Sequence, residues 1–278
     1  MTGSAAGKPA PAGSRGSEMA ARVVSGVLLI ALALFGLLAG GWVAATLIAI
    51  AMAIVHLEWI NLTDRSPWPA AVFTGGLVIA AAMTALGFIA AALIIVGLAV
   101  IAAALTGSLW RAAGVLYAAV FGIGLLLTRL SPDGDGFRAA LLVIVVVAVT
   151  DTAAFFGGRA IGGAKLWPAV SPNKTWSGAV TGVVLGTVAG IALAAYLGVG
   201  AAPALIAVLA GLSLATVAGD LFESWVKRRV GAKDSGRIVP GHGGFMDRVD
   251  GLVFASGFAA LVGWLHAGPL VAHGLLAW

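Results

Sequence analysis

Two short runs of acidic residues flank the one long polar segment of this chain. Asp220, Glu223, Ser224 and Lys227 are spaced i, i+3, i+4, i+7, so a helix continuing past Asp220 would carry all four on one face. Asp247 and Asp250 are again three apart, just ahead of an apolar run that starts at Gly251. Between the two runs lie Lys227, Arg228, Arg229, Lys233 and Arg237, with Arg248 beside Asp247, and a Pro-Gly-His-Gly-Gly turn at 240–244. Clustered carboxylate oxygens without His or Cys ligands suit Mg²⁺. Glycines such as Gly243 and Gly244 let backbone N–H groups approach phosphate oxygens, and Lys and Arg balance phosphate charge. The combination describes a site for a Mg²⁺–polyphosphate. Two plainer readings stay open beside it. Asp247 and Asp250 could simply cap a helix N-terminus, and the segment could be a solvated basic loop resting on anionic headgroups. His242, in the glycine turn, could touch a phosphate or make a structural hydrogen bond.

The elements that position this segment are apolar helices. The chain has 278 residues, 61% of them hydrophobic and only 10% charged, against roughly a quarter charged in a soluble domain. Apolar runs near the roughly 20 residues that span a bilayer recur from Val23 to the C-terminus. They lack period-2 alternation and are rich in Ala, Leu and Gly, which argues against membrane strands. The fold class expected is an all-α polytopic membrane protein with about nine spans, at 23–39, 42–59, 70–86, 88–105, 112–128, 138–157, 177–197, 202–220 and 251–267. The chain has no cysteine, so disulfides, thiolate catalysis and Cys-based metal sites are excluded. Nothing in the motifs points to nucleic acid.

With the N-terminus in the cytoplasm, the segments on that side hold Lys8, Arg15 and Arg22, then Arg65, Arg111, Arg159, Lys165 and Lys174, then the six cations of the polar segment. Of the sixteen Lys and Arg only Arg129 and Arg138 fall outside, as the positive-inside rule expects. Residues 1–21 read as a disordered cytoplasmic tail, 22–137 as an N-terminal membrane region of about five helices, and 138–278 as a catalytic membrane region with cytoplasmic loops 158–176 and 221–250.

Several other features compete for attention. Gly178, Gly182, Gly186 and Gly190 recur every four residues, a small-residue stripe for close helix packing within the fold or at a dimer contact. Gly157–Lys165 resembles a P-loop but lacks the Gly-Lys-Ser/Thr ending and follows no strand. Asp151 is the most interior acid, which makes it a functional candidate, with a satisfied structural role equally open. Glu58-Trp59 closes the second span at the depth where Trp is a usual interface residue. His56, His266 and His273 are given no role.

Ser224–Asp250 resembles the signature of the phosphatidate cytidylyltransferases, also called CDP-diglyceride synthetases. The matching positions are Ser224, Lys227-Arg228, Lys233-Asp234, Gly236, Pro240, His242-Gly243-Gly244, Asp247-Arg248 and Asp250, with Val239 where Leu, Ile or Phe is usual. Asp151-Thr152 through Gly158-Arg159 and Ser171-Pro172-Asn173-Lys174-Thr175 are similar to further family segments, as are Arg22 and Glu58-Trp59; Ser177 stands where the family carries Glu. The resemblance implies an integral-membrane, Mg²⁺-dependent, dimeric enzyme. It would make CDP-diacylglycerol and pyrophosphate from CTP and phosphatidate, in a bacterial inner membrane, with its site facing the cytoplasm. Its metal-binding acids fall on Asp220 and Asp247, with Asp250 and Glu223 near them. Lys227, Arg228, Lys233 and Arg248 would bind phosphates, with Ser171 and Lys174 reaching in from the preceding loop and Ser224, His242, Gly243 and Gly244 completing the substrate contacts. A CTP-dependent lipid or prenol kinase and, from another class, a transporter with an acidic site at Asp151 are the alternatives. Product analysis separates the first, and the absence of a visible inverted repeat argues against the second.

Overall fold

The computed structural model describes residues 13–64, 67–200, 202–236, 238–239 and 243–278. Nine long helices run through it: α1 Gly13–Ala39, α2 Gly41–Thr63, α3 Pro67–Ala85, α4 Ile89–Leu105, α5 Leu109–Arg129, α6 Gly136–Ile161, α7 Trp176–Tyr196, α8 Pro203–Arg229 and α9 Met246–Ala267, followed by a short α10 at Val271–Leu276. Each long helix covers one of the nine apolar segments. By length and composition, α2, α5, α6, α7, α8 and α9 suffice to cross a membrane, while Val23–Ala39, Ala70–Ala85 and Ile89–Leu105 are shorter apolar stretches. The chain is a helical membrane protein. Gly87, at φ +85° in the break between α3 and α4, takes a backbone conformation that other residues adopt only with strain.

Three boundaries depart from the sequence reading. Helix α1 begins at Gly13, inside the stretch expected to be a disordered tail; Glu18, Met19, Ala20 and Ala21 are helix formers that extend the apolar helix backwards. Loop 158–176 is not all irregular. An antiparallel hairpin, β1 Lys165–Trp167 with β2 Ser171–Thr175, fills it, so the fold is not purely helical. Loop 221–250 shrinks to residues 230–245, because α8 runs nine residues beyond its apolar stretch and α9 starts at Met246. The extension of α8 ends in a Schellman motif. Gly231, at φ +71°, bonds to the Arg228 carbonyl and Ala232 to that of Lys227, while the last-turn cations Lys227, Arg228 and Arg229 favour the negative end of the helix dipole.

The glycine stripe packs within the fold. Gly178, Gly182, Gly186 and Gly190 are all buried, and α7 uses them to lie directly on α6. A Cβ at Gly182 would stand 2.7 Å from the Thr150 carbonyl oxygen, and one at Gly178 equally close to that of Ala154. Gly182→Leu should therefore force two backbones apart and cost about 1–3 kcal/mol, read as a lowered melting temperature of the purified protein in detergent; an unchanged melting point would contradict this packing.

A second close crossing decides where the acids go. A Cβ on Gly219 of α8 would lie 2.5 Å from the Asp250 carbonyl oxygen, and one on Gly251 of α9 2.7 Å from Thr216 Cγ2. Bare backbone at both positions lets α8 and α9 touch one turn from Asp220, Glu223, Asp247 and Asp250. Next to this crossing α8 is fixed by aromatic rings. Phe222 stacks with Trp59 and Tyr117 and packs against Trp225 and Phe254, with ring centroids 5.3–6.2 Å apart.

Candidate active site

The four residues expected on one face of α8 do share it. Lys227 Nζ reaches back one turn to Glu223 Oε2 at 3.4 Å and across to Asp247 Oδ1 on α9 at 2.7 Å. Asp250 stands beside Gly251 where α9 touches α8 at Gly219, which brings it next to Asp220 and Glu223. Lys174, on β2, pairs with Asp220, so the hairpin loop does reach the site. Asp220, Glu223 and Asp250 thus form an acidic group, with one lysine from the hairpin and one from α8 at its edges. Carboxylates this close repel unless a cation or a shared proton lies among them.

Asp247 has a different environment. Both of its oxygens accept from the Ser235 N–H, at 3.2 and 3.0 Å, and Oδ2 also accepts from the Gly244 N–H at 3.0 Å. With Lys227 included, its acceptor capacity is mostly committed to protein donors. The glycines of the turn serve this arrangement. Gly243 has φ +84° and its Cα sits against Asp247, while a Cβ on Gly244 would collide with Ser235 Oγ and stand 3.0 Å from Glu58 Oε2. The Gly244 amide, expected to face a phosphate, is taken by Asp247. Across the turn, the Val239 N–H bonds to the Gly243 carbonyl at 3.0 Å.

Glu58 is the residue whose part the sequence reading missed. Its side chain is buried at 1% exposure. Its carboxylate accepts from the Phe245 N–H at 2.9 Å, the Met246 N–H at 2.6 Å and Ser235 Oγ at 3.4 Å. The Phe245 and Met246 amides are donors at the start of α9, otherwise unsatisfied at a helix N-terminus. So of the two α9 N-terminal amides at Phe245 and Met246, both are taken by an acid from α2, while the alternative of capping by Asp247 and Asp250 is met only at Gly244 and Gly251. The signal available was an acid in the last turns of an apolar helix without a cation nearby in sequence.

The remaining candidates are placed as follows. Arg228 Nε donates to the Val170 carbonyl at 3.3 Å, tying α8 to the hairpin. Ser171 is half-buried on β2 and Ser224 half-buried on α8, whereas Lys233 is exposed on the loop and Arg248 exposed on α9. His242 lies outside the described residues, as do Arg237, Pro240 and Gly241. Asp151, on α6, has Oδ2 3.5 Å from where a Cβ on Gly251 would stand, which puts it beside the acidic group. Ser177, at the position of the family's Glu, donates to the Gly162 carbonyl and lies 3.0 Å from Thr175 Oγ1, and Thr175 caps α7 through the Gly178 N–H. In the Gly157–Lys165 run, Gly157 and Gly158 pack on Thr181, Thr175 and Gly178, while Gly162 and Gly163 take positive φ in open space.

The donor set can be tested against Mg²⁺. Among the described residues no three acidic or histidine side chains are closed up into a ready-made metal cage. Mg²⁺ does not require one, because it keeps waters and commonly binds through one or two carboxylates plus substrate phosphates. Glu223 Oε1 is buried and has no hydrogen-bond partner, an open acceptor beside Asp220 and Asp250. An oxygen-only group with an unfilled acceptor fits a hard divalent cation that arrives with phosphate.

Comparison with known proteins agrees on one family. The sequence profile described as "Cytidylyltransferase family" matches residues 20–266. The phosphatidate cytidylyltransferase of Brucella suis biovar 1 (strain 1330) is 38% identical over 269 residues, covering 91% of this chain and 96% of the relative. Those of Helicobacter pylori (strain J99 / ATCC 700824), 45% identical over 125 residues, and Staphylococcus saprophyticus subsp. saprophyticus, 41% over 121, match 44% and 43% of this chain and 45% and 46% of their own lengths.

Proposed function

This chain belongs to the cytidylyltransferase family, and from that premise we propose that it is a phosphatidate cytidylyltransferase, converting CTP and phosphatidate to CDP-diacylglycerol and pyrophosphate. The observation that carries the reading is the convergence of Asp220, Glu223 and Asp250 on two touching helices, edged by Lys174 and Lys227. We further read all nine long helices as spans, with the N-terminus and the 230–245 loop in the cytoplasm, in the inner membrane of a bacterium, and the working unit as a homodimer. The charge distribution supports the orientation.

The lipid phosphate lies at headgroup depth and CTP comes from the water, so a site at the cytoplasmic ends of α8 and α9 is where they can meet. The lipid phosphate is already an anionic nucleophile. One of its oxygens forms the new bond to the CTP α-phosphorus, the bond from that phosphorus to the β-phosphate oxygen breaks, and pyrophosphate leaves with the electron pair. No covalent enzyme intermediate and no general base are needed. Two polyanions must be brought together, so positioning and charge neutralisation carry most of the catalysis. Asp220, Glu223 and Asp250 would hold Mg²⁺, which when bound supplies positive charge to the phosphates. Asp247 holds Lys227 and the Ser235 and Gly244 amides in place, and could join the metal only by giving up some of those donors. Lys174 and Lys227 would pass from carboxylate to phosphate partners when CTP binds, while Arg228, Lys233 and Arg248 lie on the loop side of the site.

The test is incubation of the purified protein with CTP labelled at the α-phosphorus, phosphatidate and Mg²⁺. Label should move into a lipid-linked CMP with one pyrophosphate released per turnover. Release of CDP with γ-phosphate on the lipid would instead identify a kinase and overturn the reading.

A further inference from the structure

One apolar cavity lies outside the acidic group. It is a groove of about 440 Å³ between α1 and the face formed by α2, α5, α6 and α9, within the roughly 300–1,000 Å³ of ligand pockets. Its walls include Leu29, Ala33, Ile48, Phe121, Ile144 and Leu252. Two cations bound it. At one end is Arg129, whose guanidinium is spent on the Leu37 carbonyl at 2.9 and 2.7 Å, fastening α1 to α5. At the other is Arg248, next in sequence to Asp247 and therefore at the level of the active site. Along α1 the groove runs from Gly26 to Leu37, about 16 Å at 1.5 Å per residue.

The α6 wall points the same way. Ala140 and Ile144 line the groove, and Asp151 follows at i+11 from Ala140, which returns to the same helix face. That stripe therefore leads from the apolar groove to the carboxylate beside Gly251 and Asp250. A molecule that filled the groove and met Arg248 would need a long apolar tail and an anionic head. Guanidinium is well matched to a phosphate, which it can bind bidentately.

We propose that this groove seats an acyl chain of the phosphatidate substrate, with Arg248 receiving its phosphate at the edge of the acidic group. The inference rests on the function proposed above and adds the place and route of the lipid. The chain slides between α1 and α9 from the bilayer, and the head stops where α9 begins.

The experiment uses the purified full-length protein in nanodiscs and phosphatidate carrying a diazirine midway along one acyl chain. On irradiation, label should map to groove residues of α1, α5, α6 or α9, and excess unlabelled phosphatidate, but not phosphatidylcholine, should remove it. Label elsewhere, label that resists competition, or equal competition by phosphatidylcholine would overturn the proposal. Kinetics supply a second readout. Ala33→Trp and Ile144→Trp should each raise the KM for long-chain phosphatidate about tenfold and leave the KM for CTP unchanged. Ile50→Trp, in a separate apolar depression between α2 and α3, should change neither; a rise in both KM values for the groove variants would also count against the seat. If competed labelling occurs but no CDP-lipid forms, the function fails and the groove stands.

Discussion

Asp220→Asn should reduce CTP-dependent turnover by about a hundredfold or more, the scale of removing one electrostatic group from a phosphoryl- or acyl-transfer site, while the purified protein still folds and melts close to the temperature of the parent. The two halves of that expectation have one cause. Asp220 sits beside Asp250, where α8 and α9 touch, and pairs with Lys174, whose Nζ is buried, so removing its charge relieves like-charge repulsion but leaves a buried ammonium with only an amide oxygen to meet. What is lost is one of the oxygens that face an incoming cation. Binding can be read without turnover: Mn²⁺ with CTP, followed by electron paramagnetic resonance, should bind about tenfold more weakly to this variant. Asp247→Asn should lose activity as completely but for another reason. An asparagine turns an N–H₂ toward the Ser235 and Gly244 amides or toward Lys227, all of them donors, so this variant should also loosen residues 235–246, seen as faster amide exchange. If Asp220→Asn turned over normally, or if Asp247→Asn lost activity with the loop as protected as before, the division of labour between the two acids would be wrong.

That division was only half readable from the sequence. The spacing of Asp220, Glu223 and Lys227 placed them on one face, and the structure keeps them there, because α8 continues unbroken to Arg229, packed through its aromatic residues Phe222 and Trp225. The apolar segments marked all nine long helices for a simple reason: in a bilayer the requirement for internal hydrogen bonding leaves helices as the natural reading of such runs. The four-residue spacing of Gly178 to Gly190 likewise announced a close contact within one helix's own sequence. Gly219 and Gly251 carried no such signal. Each is a single glycine, and its meaning depends on the other helix crossing at that point. The hairpin at 165–175 was invisible for a related reason: its two strands pair only with each other and are too short for a period to show. In the turn, the glycines were read as phosphate contacts because glycine permits any close approach; that the approaching groups are Asp247, Ser235 and Glu58 is set by tertiary packing.

Glu58 is the sharpest case, and Glu58→Gln should lower turnover at least tenfold and destabilise the protein by about 2–3 kcal/mol, the worth of charge-assisted bonds at a helix N-terminus. The carboxylate is buried, and the three donors it serves, Ser235 Oγ and the Phe245 and Met246 N–H groups, lie 177 to 188 residues away along the chain. Two acceptor oxygens meet donors on both sides. Glutamine offers one acceptor and an N–H₂ that must face one of those donors, so a buried amide is left unpaired whichever way the side chain turns. The consequence passes to catalysis through geometry: Met246 is the residue before Asp247, and Ser235 supplies the amide that holds both Asp247 oxygens. Releasing Glu58 therefore frees both ends of the 235–246 segment, and Asp247 and Lys227 lose their fixed relation. A purely structural residue elsewhere in α2 would lower stability without this signature. Glu58→Gln should instead speed amide exchange at residues 235–246 before any global unfolding and raise the KM for CTP, with Glu58→Asp, too short to reach both amides, recovering little. Unchanged exchange in that segment together with normal kinetics would show that α9 and the loop find their places without the acid from α2.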